Sequence, residues 1–118
     1  SRGISIGEIG VTGKARIIKN NLDISLICPG EILFVPKELM KNIPLSKNIA
    51  GIVTNQNVND VYALFNKNNK KISTICNLEN MDNHQISNGD LITLQLNEGV
   101  IYMGQIEDDD AIDKYKYV

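Results

Sequence analysis

The strongest periodic pattern of hydrophobic and polar positions in this chain is helical. Val58, Val61, Tyr62 and Phe65 recur at spacings of three and four residues, and Leu64 widens this apolar stripe. This spacing places apolar side chains along one side of an α-helix. We therefore predict a helix from about Val58 to Asn69, with Val61, Tyr62 and Phe65 in the core.

Asparagines flank this helical pattern at both ends. Asn57 or Asn59 could accept a hydrogen bond from a free backbone N–H of the first turn, and the sequence does not choose between them. Asn68-Asn69 interrupts the apolar pattern at the other end. The expected helix is therefore about three turns long.

Short apolar runs on both sides of the helix have the length of β-strands. The predicted strands are Gly13–Lys19, Glu31–Val35, Ile49–Thr54, Ile72–Cys76, Leu91–Leu96 and Val100–Met103. Ile49–Thr54 is continuous and β-branched, which is typical of a buried central strand. Its position before the helix, with Ile72–Cys76 after it, predicts a parallel pair joined by a helical crossover.

Three further segments connect these elements. Glycines punctuate Gly3–Gly13 and predict tight turns there. Leu22–Ile27 is apolar but has no decisive period. Lys37–Asn42 predicts one or two helical turns before Pro44.

The composition is that of an ordinary globular chain. Its 118 residues, one domain's worth, are 42% hydrophobic and 22% charged, and the net charge is −2. The lysines are scattered, so no basic stripe favours nucleic-acid binding. No apolar run approaches the roughly 20 residues that span a bilayer, and no signal-peptide pattern is present. We expect neither a nucleic-acid nor a membrane partner.

The two cysteines predict an intracellular setting. Cys28 and Cys76 are far apart in sequence and belong to no CxxC pattern. We interpret both as small buried apolar side chains in the cytoplasm or another reducing compartment, an organelle included. A disulfide between them is the alternative.

Five short motifs follow one another in a recognisable order. They are Gly7, Gly10 and Gly13-Lys14-Ala15-Arg16-Ile17-Ile18; Gly30-Glu31-Ile32-Leu33-Phe34-Val35; Ala50-Gly51-Ile52-Val53-Thr54-Asn55; Asn88-Gly89-Asp90-Leu91-Ile92-Thr93-Leu94; and Gly99-Val100-Ile101-Tyr102-Met103-Gly104. With this order the chain resembles the mobile, or swivelling, domain of phosphoenolpyruvate-utilising enzymes. The domain also occurs as a C-terminal extension of some pyruvate kinases, and the last motif is most similar to that form. The resemblance covers residues 4 to 104.

The resemblance implies an α/β fold of the swivelling β/β/α type, a compact single domain with a mixed sheet at its core. It implies that residues 1–107 form this domain, which leaves 108–118 as an acidic and polar tail. In working members of the family, a strand ending in Thr-Glu leads into G-G-x-x-S-H at the start of a helix. The histidine of that motif carries a phosphoryl group.

This chain departs from the family at that motif. Its corresponding residues are Gln56-Asn57-Val58-Asn59-Asp60-Val61-Tyr62, without either glycine and without a histidine. The family's histidine position falls at Val61 or Tyr62, neither of which accepts phosphate as an imidazole does. We identify a degenerate active-site region made of Thr54, Asn55, Gln56, Asn57, Val61 and Tyr62, in which only Thr54 matches a family active-site position.

Other candidate chemistry in the sequence is sparse. His84, the single histidine, lies in a polar segment and is interpreted as a solvated loop residue rather than a displaced phosphoacceptor. Asp108-Asp109-Asp110 is interpreted as a solvated tail rather than a cation site. The glycines at 7, 10 and 13 lack the strand before and the helix after that a phosphate-binding loop requires. We expect no catalytic residue, no metal and no cofactor in this chain.

These expectations combine into one functional hypothesis. The chain is a non-catalytic domain of a larger pyruvate-kinase-like or dikinase-like polypeptide, whose partners are the other domains or subunits of that parent. By itself it is not an enzyme, although the parent is free to be one. Two alternatives stay open: an active phosphotransfer domain with a substitute acceptor, and a free-standing ligand-binding module.

Overall fold

Seven β-strands form one mixed sheet in the computed structural model, which describes residues 3–7, 10–79, 81 and 85–104. The strands are β1 (Ile4–Ile6), β2 (Val11–Ile17), β3 (Glu31–Val35), β4 (Ile49–Thr54), β5 (Thr74–Cys76), β6 (Leu91–Gln95) and β7 (Val100–Met103). The helices are α1 (Asn21–Ile24) and α2 (Val58–Lys67), and a 3₁₀ helix spans Lys37–Asn42.

The strand order across the sheet is β1-β5-β4-β3-β2-β6-β7. β2, β3, β4 and β5 run parallel to one another, whereas β1, β6 and β7 are antiparallel to their neighbours. The predicted parallel pair is confirmed, because Ile52 of β4 lies opposite Thr74 of β5. The helix between these two strands is the predicted crossover.

Helices cover one side of the sheet and the curled end of the sheet covers the other. On the helical side, Leu33 of β3 and Ile52 of β4 pack with Val61 and Phe65 of α2. On the opposite side, side chains of β3 and β4 share a second cluster with those of β6 and β7, such as Leu94. The result is one compact α/β domain whose mixed sheet folds over itself.

The close approach of β4 and β6 requires a small residue. A Cβ atom added at Gly51 would lie 2.8 Å from Cδ1 of Leu94 and 3.3 Å from Cγ2 of Val11. Real Cβ atoms almost never come within 3.0 Å of another heavy atom, so a larger residue at position 51 would force the end of the Leu94 side chain to shift. The glycine in the middle of the predicted central strand therefore has a packing reason.

Several predicted strand limits differ from the structure. β2 runs from Val11 to Ile17 rather than from Gly13 to Lys19, because its first residues pair with β6 while its last residues pair with β3. β5 begins at Thr74, two residues after the predicted start, and β6 ends at Gln95, one residue before the predicted end. β3, β4 and β7 have the predicted limits.

β1 was not predicted as a strand. It has only three residues between glycines, which is too short for a period to be visible in the sequence. Pairing with β5 makes it a strand, with Ile4 opposite Cys76 and Ile6 opposite Thr74. Ile6 is completely buried, so this short segment closes one edge of the core.

The helix α2 is confirmed, but one of its predicted core residues is wrong. Val61 and Phe65 are buried, whereas Tyr62 is 40% exposed. Successive residues of an α-helix are turned by about 100° around its axis, so Tyr62 lies well to one side of Val61. Val58 and Leu64 are half-buried and complete the face that meets the sheet.

The shorter helical segments follow local capping and burial. Asn20 caps α1, since its side-chain oxygen accepts a hydrogen bond of 3.1 Å from the backbone N–H of Asp23. Leu22 is 73% exposed and Leu26 is 54% exposed, which explains why this apolar stretch has no clear period. The predicted helical turns over Lys37–Asn42 form as a 3₁₀ helix with Met40 in the core.

The prediction that both cysteines are buried is half wrong. Cys76 of β5 is completely buried, but Cys28 is exposed in the loop before β3, and neither forms a disulfide. The backbone N–H of Cys28 donates to Glu31, whose carboxylate also pairs with Arg16 at 2.9 Å. This loop therefore holds Cys28 at the surface by its main chain.

Some expectations fall on residues outside the described part of the chain. These are His84 and the acidic tail from 108 to 118, together with the domain limit at 107. Within the described part, no helix is long and apolar enough to cross a membrane.

Candidate functional site

The degenerate active-site region lies where the parallel strands end. Parallel strands place their carboxyl ends at one edge of a sheet, and open α/β sheets bind ligands beyond that edge. β4 ends there at Thr54, and Asn55, Gln56 and Asn57 lead from it into α2. The predicted region is therefore at the edge where this type of fold places chemistry.

Thr54 is used to fix the turn that follows β4. Its side chain is completely buried, and its hydroxyl oxygen accepts a hydrogen bond of 3.2 Å from the N–H of Gln56. Its carbonyl oxygen accepts a second bond, of 3.1 Å, from the N–H of Leu78. Thr54 thus joins the turn to the segment after β5.

Asn55 and Gln56 tie the same turn to its neighbours. The side-chain oxygen of Asn55 accepts a hydrogen bond of 2.8 Å from the N–H of Lys37, at the start of the 3₁₀ helix. The carbonyl oxygen of Gln56 accepts one of 2.9 Å from the N–H of Asn77. The side-chain oxygen of Gln56 is buried and has no hydrogen-bond partner among the residues that the structure describes. These contacts hold together the three segments that follow β3, β4 and β5.

Asn57, rather than Asn59, caps α2. Its side-chain oxygen accepts a hydrogen bond of 2.9 Å from the N–H of Asp60, and its amide nitrogen donates one of 2.9 Å to the Asp60 carboxylate. A free helix N-terminus attracts anions through its unpaired N–H groups and its dipole. Here an amide takes one of those donors and a carboxylate supplies negative charge beside them. The helix start is therefore poorly suited to a phosphoryl group.

Val61 and Tyr62, the other two residues of the predicted region, lie on different sides of α2. Val61 has no exposed surface, whereas Tyr62 is 40% exposed. A buried valine offers no reactive group, and the tyrosine side chain sits outside the core. The structure therefore groups Thr54, Asn55, Gln56 and Asn57 in one turn and leaves Val61 and Tyr62 apart from each other.

Sequence reasoning missed the residues that face this turn from the segment after β5. Asn55, Asn77, Leu78 and Glu79 line an open cavity of about 540 Å³. Asn77 has a left-handed backbone with φ 61°, a conformation that asparagine adopts more readily than most residues. Its position directly after a buried parallel strand was a signal that could have identified it.

The described residues offer little acid–base or metal chemistry. No group of three or more His, Cys, Asp or Glu side chains there is arranged to hold a metal ion. Burial raises the pKa of Cys76, which ends β5 beside this turn, to about 12. The thiolate is the nucleophilic form of cysteine, so Cys76 is inert near neutral pH.

The chain is similar to part of a known pyruvate kinase. It is 27% identical over 105 residues to pyruvate kinase 2 of Synechocystis sp., and the aligned region covers 89% of this chain and 18% of that protein. No protein-family model matches the chain. The similarity supports a relationship to pyruvate kinases, and the chain spans about 18% of the length of the relative that it matches.

Proposed function

We propose that the chain is a non-catalytic, swivelling-type domain of a larger pyruvate-kinase-like or phosphoenolpyruvate-utilising enzyme. It acts in contacts with the other domains or subunits of that parent, or in its regulation. The relationship to a longer pyruvate kinase supports the parent, since this chain aligns with only 18% of that protein. The free thiol of exposed Cys28 suits a reducing compartment, the cytoplasm or an organelle.

The proposal that this domain does not transfer phosphoryl groups rests on one observation, the hydrogen bonding of the turn between β4 and α2. Every residue from Thr54 to Asn57 uses a side-chain or backbone oxygen to hold neighbouring main chain. The Asp60 carboxylate adds negative charge at the start of α2. A phosphoacceptor at this place would need an exposed nucleophile and free N–H donors.

The first test measures phosphorylation of the full-length protein. After incubation with phosphoenolpyruvate, intact mass at alkaline pH, where phosphohistidine survives, is expected to show no added phosphate on this domain. A stoichiometric adduct that disappears in His84→Ala or in Tyr62→Phe would instead establish a substitute acceptor. The two variants distinguish a phosphohistidine from a phosphotyrosine.

The second test removes the domain from the parent. We expect the turnover number for phosphoryl transfer to stay close to that of the intact enzyme, while subunit assembly, thermal stability or the response to effectors changes. Loss of the chemical step in a correctly assembled truncated enzyme would contradict a non-catalytic role. Unchanged assembly, stability and regulation would contradict the contact and regulatory roles.

A further inference from the structure

A cavity that the proposed function does not use lies beyond the ends of β2 and β3. It has a volume of about 670 Å³, within the range of roughly 300–1,000 Å³ of small-molecule sites. Its apolar walls are Ile17, Ile18, Phe34, Pro36, Met81 and Ile86. Like the turn after β4, it opens at the carboxyl ends of the parallel strands, where folds of this class bind ligands.

The walls of this cavity are fixed by the sheet. Ile17 ends β2, and the N–H of the next residue, Ile18, donates a hydrogen bond of 2.9 Å to the carbonyl of Phe34 in β3. Ile18, Phe34 and Ile86 are buried. The apolar surface left for a ligand comes mainly from the half-buried side chains of Ile17, Pro36 and Met81, and an apolar side chain resting on them would lose water on binding, which is favourable.

Two charged side chains of opposite sign complete the lining. Lys19 follows β2, and Glu38 lies in the first turn of the 3₁₀ helix. Both are exposed, and within the described part of the chain neither has an ion-pair partner. The cavity thus combines apolar side chains with one cation and one anion, neither paired with another charge among the described residues.

We propose that this cavity binds a free apolar α-amino acid. Lys19 pairs with its carboxylate, Glu38 pairs with its ammonium group, and the side chain rests on the apolar wall. A ligand that is only anionic would be attracted by Lys19 but repelled by Glu38. A ligand that is only cationic would be attracted by Glu38 but repelled by Lys19. A zwitterion satisfies both charges. This inference concerns the chain itself and does not depend on the identity of a parent enzyme.

The test titrates the 118-residue chain with L-leucine, L-methionine and L-phenylalanine, followed by NMR of backbone amides and by calorimetry. We expect dissociation constants on the order of 0.1–1 mM, as weak small ligands show. Glycine should not bind, since it lacks an apolar side chain. N-acetyl-L-leucine and L-leucinamide should bind at least about fivefold more weakly than L-leucine, because each keeps only one charge.

Variants of Lys19 and Glu38 test whether these side chains bind the charged groups of the amino acid. Lys19→Gln and Glu38→Gln should each weaken L-leucine binding by roughly three- to tenfold, about the effect of one exposed charged hydrogen bond. Glu38→Gln should also reduce the preference for L-leucine over N-acetyl-L-leucine, since the repelling carboxylate is gone. Lys41→Gln, which changes a lysine of the same 3₁₀ helix outside the cavity lining, is the matched control.

Two results would overturn the proposal. One is the absence of any shift with all three apolar amino acids at millimolar concentrations. The other is binding at a different place or through different groups. Either Lys19→Gln and Glu38→Gln would then leave the affinity for L-leucine unchanged, or the amide chemical shifts that change on binding would lie far from Ile18 and Phe34. Because both side chains are exposed, the variants are expected to keep the amide spectrum of the folded chain.

Discussion

At the scale of single residues, the apolar pattern correctly predicted that α2 is a helix, but it made the buried face of that helix too wide. The spacing of Val58, Val61 and Phe65 identifies the buried face, and the structure confirms Val61 and Phe65 there. Tyr62 extends the same apolar pattern but is 40% exposed. Sequence spacing cannot say where the edge of a buried face lies, because that depends on the distance between the helix and the sheet.

Truncating Phe65 tests which face of α2 is buried. Phe65 is 2% exposed and packs in the cluster between α2 and the sheet. Phe65→Ala should lower the free energy of unfolding by about 3–5 kcal/mol, through lost burial and the cavity that remains. Urea denaturation measures the change. The control, Tyr62→Ala, removes a partly exposed aromatic side chain about one turn before Phe65 and should cost less than half as much. Equal losses would contradict the assigned face.

The buried thiol of Cys76 gives a residue-scale prediction of pH dependence. Burial raises its pKa from 9.0 to about 12. Because the folded state holds the proton more tightly than the unfolded state, the contribution is complete below about pH 9 and is lost as pH rises from 9 towards 12. Stability should therefore decline over the alkaline range, and part of that decline should be absent in Cys76→Ala.

The measurement compares urea unfolding of the two proteins at neutral and alkaline pH. Each protein is referred to its own value at neutral pH, which removes the constant cost of deleting the side chain. Thiol labelling supplies a second check, since exposed Cys28 should react quickly in the native state and Cys76 only after unfolding. Identical alkaline slopes would contradict the raised pKa.

At the scale of elements, the sequence predicted the limits of β3, β4 and β7 correctly and those of β2, β5 and β6 less well. β3 and β4 have the predicted limits because their apolar runs are continuous and end at Pro36 and at the polar turn after Thr54. β2 and β5 shift by two residues at one end or both, because pairing partners far along the chain set their limits. β1 exists only through its pairing with β5 and carries no signal of its own.

The sequence alone also could not decide which asparagine caps α2, and the structure turns this choice into a prediction. Asn57 and Asn59 are equally suitable in sequence, and the tight turn held by Thr54 places Asn57 at the cap. Asn57→Ala should destabilise the protein by about 1 kcal/mol, within a range of roughly 0.5–2, because a first-turn N–H loses its acceptor. Asn59→Ala, an exposed position inside the helix, should be neutral or slightly stabilising.

Thermal or urea unfolding of Asn57→Ala and Asn59→Ala decides this point. A larger loss in Asn59→Ala than in Asn57→Ala would show that α2 begins two residues later. Replacement of Asn57 by Asp or Ser, which also cap helices, should recover most of the stability. That recovery would separate the capping hydrogen bond from other effects of removing the side chain.

At the scale of the whole molecule, the sequence predicted the class of fold and the parallel crossover, but not how the sheet closes. The crossover follows from elements that are consecutive in the chain, β4, α2 and β5. The curl depends on pairings between distant segments, β1 with β5 and β2 with β6. Those pairings are set by packing between the faces, such as Leu94 over Gly51, which no local pattern reports.

In the candidate site too, the features formed by consecutive residues were predictable and those formed by distant segments were not. Thr54, Asn55, Gln56 and Asn57 could be grouped from the sequence because they are consecutive, whereas Val61 and Tyr62, predicted with them, lie on different sides of α2. Asn77 and Glu79, which face that region across a cavity, come from the segment after β5 and needed the parallel pairing to be located. The cavity between the ends of β2 and β3 was not predictable either, since Ile17, Phe34 and Ile86 are far apart in the chain.

The closure of the sheet leads to a prediction about two glycines. The N–H of Gly3, just before β1, donates a hydrogen bond of 3.1 Å to the carbonyl of Gly99, in the turn between β6 and β7. Gly99 has φ 70°, and a Cβ added to it would lie 2.5 Å from the carbonyl oxygen of Gly3. Gly89 has φ 89° but no atom within 4 Å of an added Cβ.

Both Gly99→Ala and Gly89→Ala incur the strain of a left-handed alanine, on the order of 1 kcal/mol. Gly99→Ala also pushes β1 away from the turn, so it should lower the free energy of unfolding by about 1–3 kcal/mol more than Gly89→Ala. Hydrogen exchange should show faster exchange in Ile4–Ile6 for Gly99→Ala alone, because β1 is the strand that must move. Equal destabilisation by the two variants, with β1 exchanging at the same rate in both, would mean that the contact between Gly3 and Gly99 does not hold the sheet closed.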